Sequence, residues 1–209
     1  MIKNTILTTA VYKALREKIL SGEIKFGEKI NKAQLMDDMG ISQTPLNEAL
    51  SRLAGERILE QRDRHGYYLP IHTPAQLAEI FAVRAALEGM AFRLAVESKS
   101  PLLPEILGAF RKFGLPVAEN RIPEYLEEDK HFHALIVDAS ANPVLKQLFE
   151  RFAYLHFAYE KGLIRHPDET LLEHQTMIAA AKDGNGKLAG ELLTEHHYKT
   201  RAHLLSQLS

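Results

Sequence analysis

The chain has 209 residues, 45% of them apolar and 25% charged, with a net charge of −1. That balance suits a globular protein with room for one large domain or two modest ones. It has no cysteine, which excludes disulfides and thiolate metal sites and fits a reducing cytoplasm. No stretch approaches the roughly 20 apolar residues of a membrane span, and residues 1–10, with one lysine and no long apolar core, do not read as a secretory leader. Residues 1–70 carry 11 basic against 9 acidic side chains, and residues 71–209 carry 15 against 18. That asymmetry is too small to argue for nucleic acid by itself.

In chain order, an amphipathic helix is expected over Thr8–Ser21, with Val11, Leu15, Ile19 and Leu20 on one side and Gly22 ending it. A short helix follows over Lys32–Met39, closed by Gly40. Ser42 stands where an N-cap belongs, and Thr44 and Pro45 open a helix to about Gly55 that buries Leu46, Ala49, Leu50 and Leu53. Two extended runs, Ile58–Arg62 and Tyr67–Ile71, flank the polar turn Asp63-Arg64-His65-Gly66 and read as a hairpin. Three helices followed by a hairpin predict a winged helix-turn-helix over residues 1–71. Residues 72–76 read as a linker, with Thr73 as a cap, and residues 77–209 as a separate all-helical domain. Helices are expected there at 75–98, 102–113, 122–140, 143–164, 168–183 and 187–207. The fold class is therefore mainly α, a winged domain joined to a bundle of about six helices.

A helix-turn-helix sets its second helix in the major groove, where the N-terminal residues reach base edges. That places Gln43, Thr44, Asn47 and Arg52 as DNA-contacting candidates on this helix. Gln43 and Asn47 lie one turn apart and can pair as amides with adenine, while Thr44 can bond phosphate. Arg64, His65 and Gly66 form the wing tip, within reach of the minor groove or backbone. A capped amphipathic helix alone would be unremarkable. The succession of helix, glycine turn, helix and wing is what favours DNA.

The stretch Leu15-Arg16-x-x-Ile19-Leu20-Ser21-Gly22-x-Ile24-x-x-Gly27, followed by Gly40-Ile41-Ser42-Gln43-Thr44-Pro45-Leu46-Asn47-Glu48-Ala49-Leu50-x-Arg52-Leu53, resembles the GntR family of transcriptional regulators. The resemblance implies double-stranded operator DNA as partner, a homodimer, repression as the usual outcome, and no enzymatic activity. It also implies arginine at the positions of Gln43 and Asn47, so the loss of both charges predicts a different operator and less salt dependence. Thr44, Arg52, His65 and Gly66 match.

In the second domain, polar residues interrupt apolar stripes. Asp129 and His133 stand at i, i+4 among Leu126, Phe132 and Ile136. His174 falls in the stripe of Leu171, Ile178 and Ala181, and His196 beside Leu192, Leu193 and His203. Buried, unpaired, these groups would be costly. One divalent cation on Asp129, His133, His174 and His196 would satisfy all four, and such a set suits zinc foremost, with nickel, manganese and iron also accommodated. Taken singly, each histidine reads as an ordinary core or surface residue, as do His131, His156, His166 and His197. Asp129-x-x-x-His133, Glu173-His174 and His196 resemble the ligand pattern of the FadR-like branch with an all-helical, FCD-type ligand-binding domain, which implies the metal. Arg84 and Glu88 share a stripe with Leu77, Phe81 and Ala91, either as a buried ion pair or with Arg84 clamping a small carboxylate effector. Asn142 reads as a helix cap. Two other functions stay open on the residues alone: a metal-dependent hydrolase with Glu173 as base, and a ligand-free dimerisation module.

Overall fold

The computed structural model describes residues 2–62, 65–150 and 165–208. They fall into two compact units, one ending at Ile71 and one beginning at His72.

In the first unit, α1 (Ile2–Leu20), α2 (Lys32–Met39) and α3 (Gln43–Gly55) precede the strands β1 (Glu60–Arg62) and β2 (Gly66–Tyr68). Helix α1 starts six residues before the expected Thr8. Val11, Leu15 and Ile19 are buried as their spacing requires, but Leu20 is exposed. Asn31 caps α2 by accepting the backbone N–H of Gln34 at 3.2 Å. Gly40 ends it in the left-handed region at φ +62°, a conformation side chains disfavour. The chain can then turn within two residues into α3. Ser42 holds the N-cap position with extended backbone, but its hydroxyl makes no capping bond. Leu46, Ala49, Leu50 and Leu53 of α3 are all fully buried. The strands pair antiparallel, Glu60 with Tyr68 and Arg62 with Gly66. The segment before α2 adds to this hairpin through bonds from Gly27 N–H to Leu69 O at 2.7 Å and from Ile30 N–H to Tyr67 O at 2.8 Å. Asp63 and Arg64 lie outside the described residues.

In the second unit, α4 (Pro74–Glu97), α5 (Leu103–Gly108), a 3₁₀ turn (Glu119–Arg121), α6 (Ile122–Ala139), α7 (Pro143–Glu150), α8 (Pro167–Lys182) and α9 (Gly186–Ser206) form a helical bundle. Thr73 and Gln76 form a reciprocal capping box, so α4 is helical from Pro74, inside the stretch read as linker. Asn142 caps α7 through the backbone N–H groups of Val144 and Leu145. The helix expected over 102–113 stops at Gly108. Ala109 turns extended (ψ 150°) and Phe110 takes φ +58°, which places the Phe110 ring in the core, stacked on His174 at 4.4 Å. Tertiary packing overrides local propensity there. The rest of the helix expected over 143–164 lies outside the described residues beyond Glu150.

Helices α4 and α9 pack closely because glycines line their seam. A Cβ on Gly190 would come within 2.5 Å of the Gly89 carbonyl oxygen, and Thr194 Oγ1 bridges the seam to the Ala85 carbonyl at 3.2 Å. Gly190→Ala is therefore expected to cost about 1–3 kcal/mol by over-packing. Urea unfolding would measure it, with the exposed Leu188→Ala as a control that shifts stability by no more than about 0.5 kcal/mol.

Candidate functional site

Helix α6 carries Asp129 and His133 one turn apart, α8 carries His174, and α9 carries His196 and His197. All five are buried. His133, His174 and His196 each bring a ring nitrogen within 4.8 Å of the other two. Asp129 Oδ1 lies 3.4 Å from His174 Nε2 and 3.9 Å from His133 Nε2. The four residues picked out by periodicity thus converge from three helices.

What surrounds them fixes their protons. Thr170 donates its hydroxyl to the Pro167 carbonyl at 3.3 Å, which leaves its oxygen to accept from Tyr125 at 2.8 Å. Tyr125 Oη pairs in turn with His174 Nδ1 at 3.0 Å, and in the tautomer protonated at Nδ1 the His174 Nε2 faces the cluster as a lone pair. His196 Nδ1 donates to Glu173 at 2.7 Å, and His133 Nδ1 donates to Glu88 at 2.5 Å. In His133 and His196 a carboxylate holds the proton on the outward nitrogen, which leaves the inward nitrogen as an acceptor. His133 Nε2, His174 Nε2 and Asp129 Oδ2 have no hydrogen-bond partner among the described residues. Acceptors crowded together in a dry interior repel one another unless a cation lies among them.

Charges around the cluster keep this state. Burial lowers the pKa of His174, and the neighbouring imidazoles lower it further; burial likewise lowers His196. Both stay neutral, as metal ligands must be. Burial alone would raise the Glu88 carboxyl, but Arg84, His197 and His133 hold it well below the usual carboxylate range. Glu173 is likewise held low despite burial, by Arg165, which grips it with two bonds at 2.6 and 2.7 Å, and by His196. Arg84 Nε bonds Glu88 at 2.6 Å, so the ion pair considered from sequence forms. Through Glu88 it also reaches His133. His197, read as an ordinary residue, is fully buried, with Nε2 2.9 Å from Glu88 and a pKa pushed down to about 3 by burial. His131 is exposed on Glu105, and His166 caps α8; His156 lies outside the described residues.

On the first unit, Gln43, Thr44, Ser51 and Arg52 of α3 are exposed. Asn47 accepts a bond from Lys32 at 2.9 Å. Arg52 lies over the Tyr12 ring at 3.9 Å and pairs with Glu56 at 3.2 Å. His65 is exposed at the hairpin turn, and Gly66 opens β2 at φ +101°.

A winged helix-turn-helix on a helical domain with a buried polar cluster defines a DNA-binding transcriptional regulator. Residues 7–69 match the bacterial regulatory proteins of the gntR family, and residues 79–198 match the FCD domain. The chain is 30% identical over 200 residues to the uncharacterized HTH-type transcriptional regulator YdhC of Bacillus subtilis, covering 92% of this chain and 88% of that one. It is 26% identical over 204 residues to the HTH-type transcriptional repressor GlaR of Escherichia coli, covering 92% and 93%. Among solved structures, E. coli McbR/YncC superposes with a TM-score of 0.71 at 26% identity, over 97% of this chain and 99% of that one. The protein belongs to the GntR family of transcriptional regulators and carries an FCD domain; it is not an enzyme. No helix among the described residues is long and apolar enough to cross a membrane.

Proposed function

We propose that the protein is a homodimeric repressor whose helical domain holds a divalent metal, zinc foremost, and responds to a small carboxylate effector. The observation that carries the metal is the convergence of inward imidazole lone pairs and the Asp129 carboxylate, each histidine braced from outside by Glu88, Tyr125 or Glu173. Braced imidazoles of this kind are how proteins orient metal ligands. Asp129, His133, His174 and His196 would hold the ion, which supplies a Lewis-acidic anchor for a carboxylate oxygen when bound. Arg84 is buried beside the same network and bonds Glu88, which in turn orients His133. An effector carboxylate competing for Arg84 would loosen the hold of Glu88 on His133, a differential contact of the kind a switch requires. The relative GlaR, named a repressor, supports repression. A dimer would set two recognition helices on the half-sites of a two-fold operator.

The test is fluorescence anisotropy on DNA from upstream of its own gene, with metal-loaded protein and a panel of small hydroxy and keto acids. At least one acid should weaken operator binding about 5- to 150-fold. If no acid changes the affinity, the effector is wrong. If no upstream DNA binds, the operator assignment fails with it.

A further inference from the structure

Five cationic or amide side chains, Lys32, Asn47, Arg52, Gln61 and Arg62, line one open groove between α3 and the hairpin, together with Tyr67. Two of the cations are neutralised locally, Arg52 by Glu56 at 3.2 Å and Arg62 by Glu60 at 2.9 Å. Glu48, also in the lining, is engaged by the Thr8 hydroxyl at 2.7 Å. Lys32 is different. It has no carboxylate partner among the described residues: its ammonium donates to Asn47 Oδ1 at 2.9 Å and lies 5.1 Å from the centre of the Tyr67 ring. It is also the first residue of α2, where a positive charge opposes the helix dipole and costs stability. A cation held from two sides, unneutralised and placed against the local field, is set for an anionic or electron-rich partner outside the chain.

The chemistry of the pair says which base. A free asparagine recognises adenine by donating from its amide nitrogen and accepting through Oδ1. Here Oδ1 already accepts from the Lys32 ammonium, which leaves it a weaker acceptor for a base, while the Asn47 amide nitrogen and the remaining Lys32 N–H groups make the pair predominantly a donor. Guanine alone offers two acceptors, O6 and N7, side by side in the major groove. We infer that Lys32 and Asn47 act as one donor pair that selects guanine in each operator half-site, with the reading cation supplied by α2 in place of an arginine on α3. This rests on α3 lying in the major groove, as the family assignment requires.

Selection from a random double-stranded DNA library, run with the full-length wild type, Lys32→Met and Asn47→Ala, tests it. Wild type should select guanine at one position per half-site, and Asn47→Ala should lose preference there. Lys32→Met frees Oδ1 and should switch that position from guanine to adenine. In the wild-type site, 7-deazaguanine at that position, which lacks the N7 acceptor, should weaken binding about 5- to 100-fold. Lys32→Arg, a donor-only replacement, should keep guanine and serves if the methionine variant does not fold. Unchanged selection in Lys32→Met, or a base other than guanine at the position set by Asn47, overturns the inference. A wild type that binds DNA without sequence preference overturns it too. A wild type that binds no DNA instead defeats the operator reading itself, so the two failures are distinct.

Discussion

Dialysis against a strong chelator is expected to lower the unfolding temperature of the protein by about 10 °C, and one equivalent of zinc should restore it. The magnitude follows from linkage: an ion at about 1,000 times its dissociation constant stabilises the folded state by about 4 kcal/mol, and a chain of this size shifts by about 2–4 °C per kcal/mol. The physical cause is the cluster of acceptors. With the cation gone, His133 Nε2, His174 Nε2 and Asp129 Oδ2 stay buried without partners. His174→Ala should unfold near the chelated temperature and not respond to zinc. Tyr125→Phe separates bracing from ligation, since it removes only the oxygen that accepts from His174 Nδ1. It should bind zinc about 10- to 100-fold more weakly and still be rescued by excess metal. Identical melting of wild type with and without metal, and no metal by elemental analysis, would leave the cluster as a neutral polar core and the helical domain as a dimerisation module.

Much of this site was legible because helical periodicity assigns faces. Asp129, His133, His174 and His196 each fell in an apolar stripe, and a polar residue in such a stripe must meet a partner. What periodicity does not give is the opposite wall. The bonds of Glu88 to His133, of Tyr125 to His174 and of Arg165 to Glu173 each cross between elements, with the partners 8 to 49 positions apart in sequence. His197 was passed over because it neighbours His196, and adjacent residues on a helix diverge by about 100°. Helix α9 packs against both α4 and α8, so it buries a face wide enough for both. The run of Ala189, Gly190, Leu193, His196, His197, Thr200 and Leu204, all buried, carried that signal in the sequence. Phe110 illustrates the converse: the local pattern continues the helix, and only the demand for an aromatic ring over His174 ends it. In the winged domain the end of α2 and the start of α3 followed from Gly40 and Ser42, while the Asn31 cap emerged only in the structure. The tie between Lys32 and Asn47 did not, because it joins two helices whose separation sequence alone does not set.

Arg84 and Glu88 separate structure from sensing, and substitution of Arg84 should have the largest effect of any change outside the proposed ligand set of Asp129, His133, His174 and His196. Arg84→Met is expected to destabilise the helical domain by about 3–5 kcal/mol, the range for removing one partner of a buried ion pair. Glu88 is fully buried, and Arg84 is the foremost of the charges that keep it ionised there. Glu88→Gln should cost a similar amount, because it leaves the guanidinium without its carboxylate. The double variant Arg84→Met/Glu88→Gln should be milder than either single change, since no unpaired charge remains and the amide oxygen can still accept from His133 Nδ1. Urea unfolding of all four proteins gives the coupling energy, expected at about 3 kcal/mol or more because the double variant loses less than either single. An Arg84→Met loss below about 0.5 kcal/mol would mean that the pair is not a determinant of the fold. The same set tests sensing. An acid that raises the melting temperature of metal-loaded wild type, and leaves the equally metal-loaded double variant unmoved, places the effector on Arg84. Equal stabilisation of both places it on the metal alone and leaves Arg84 with a purely structural part.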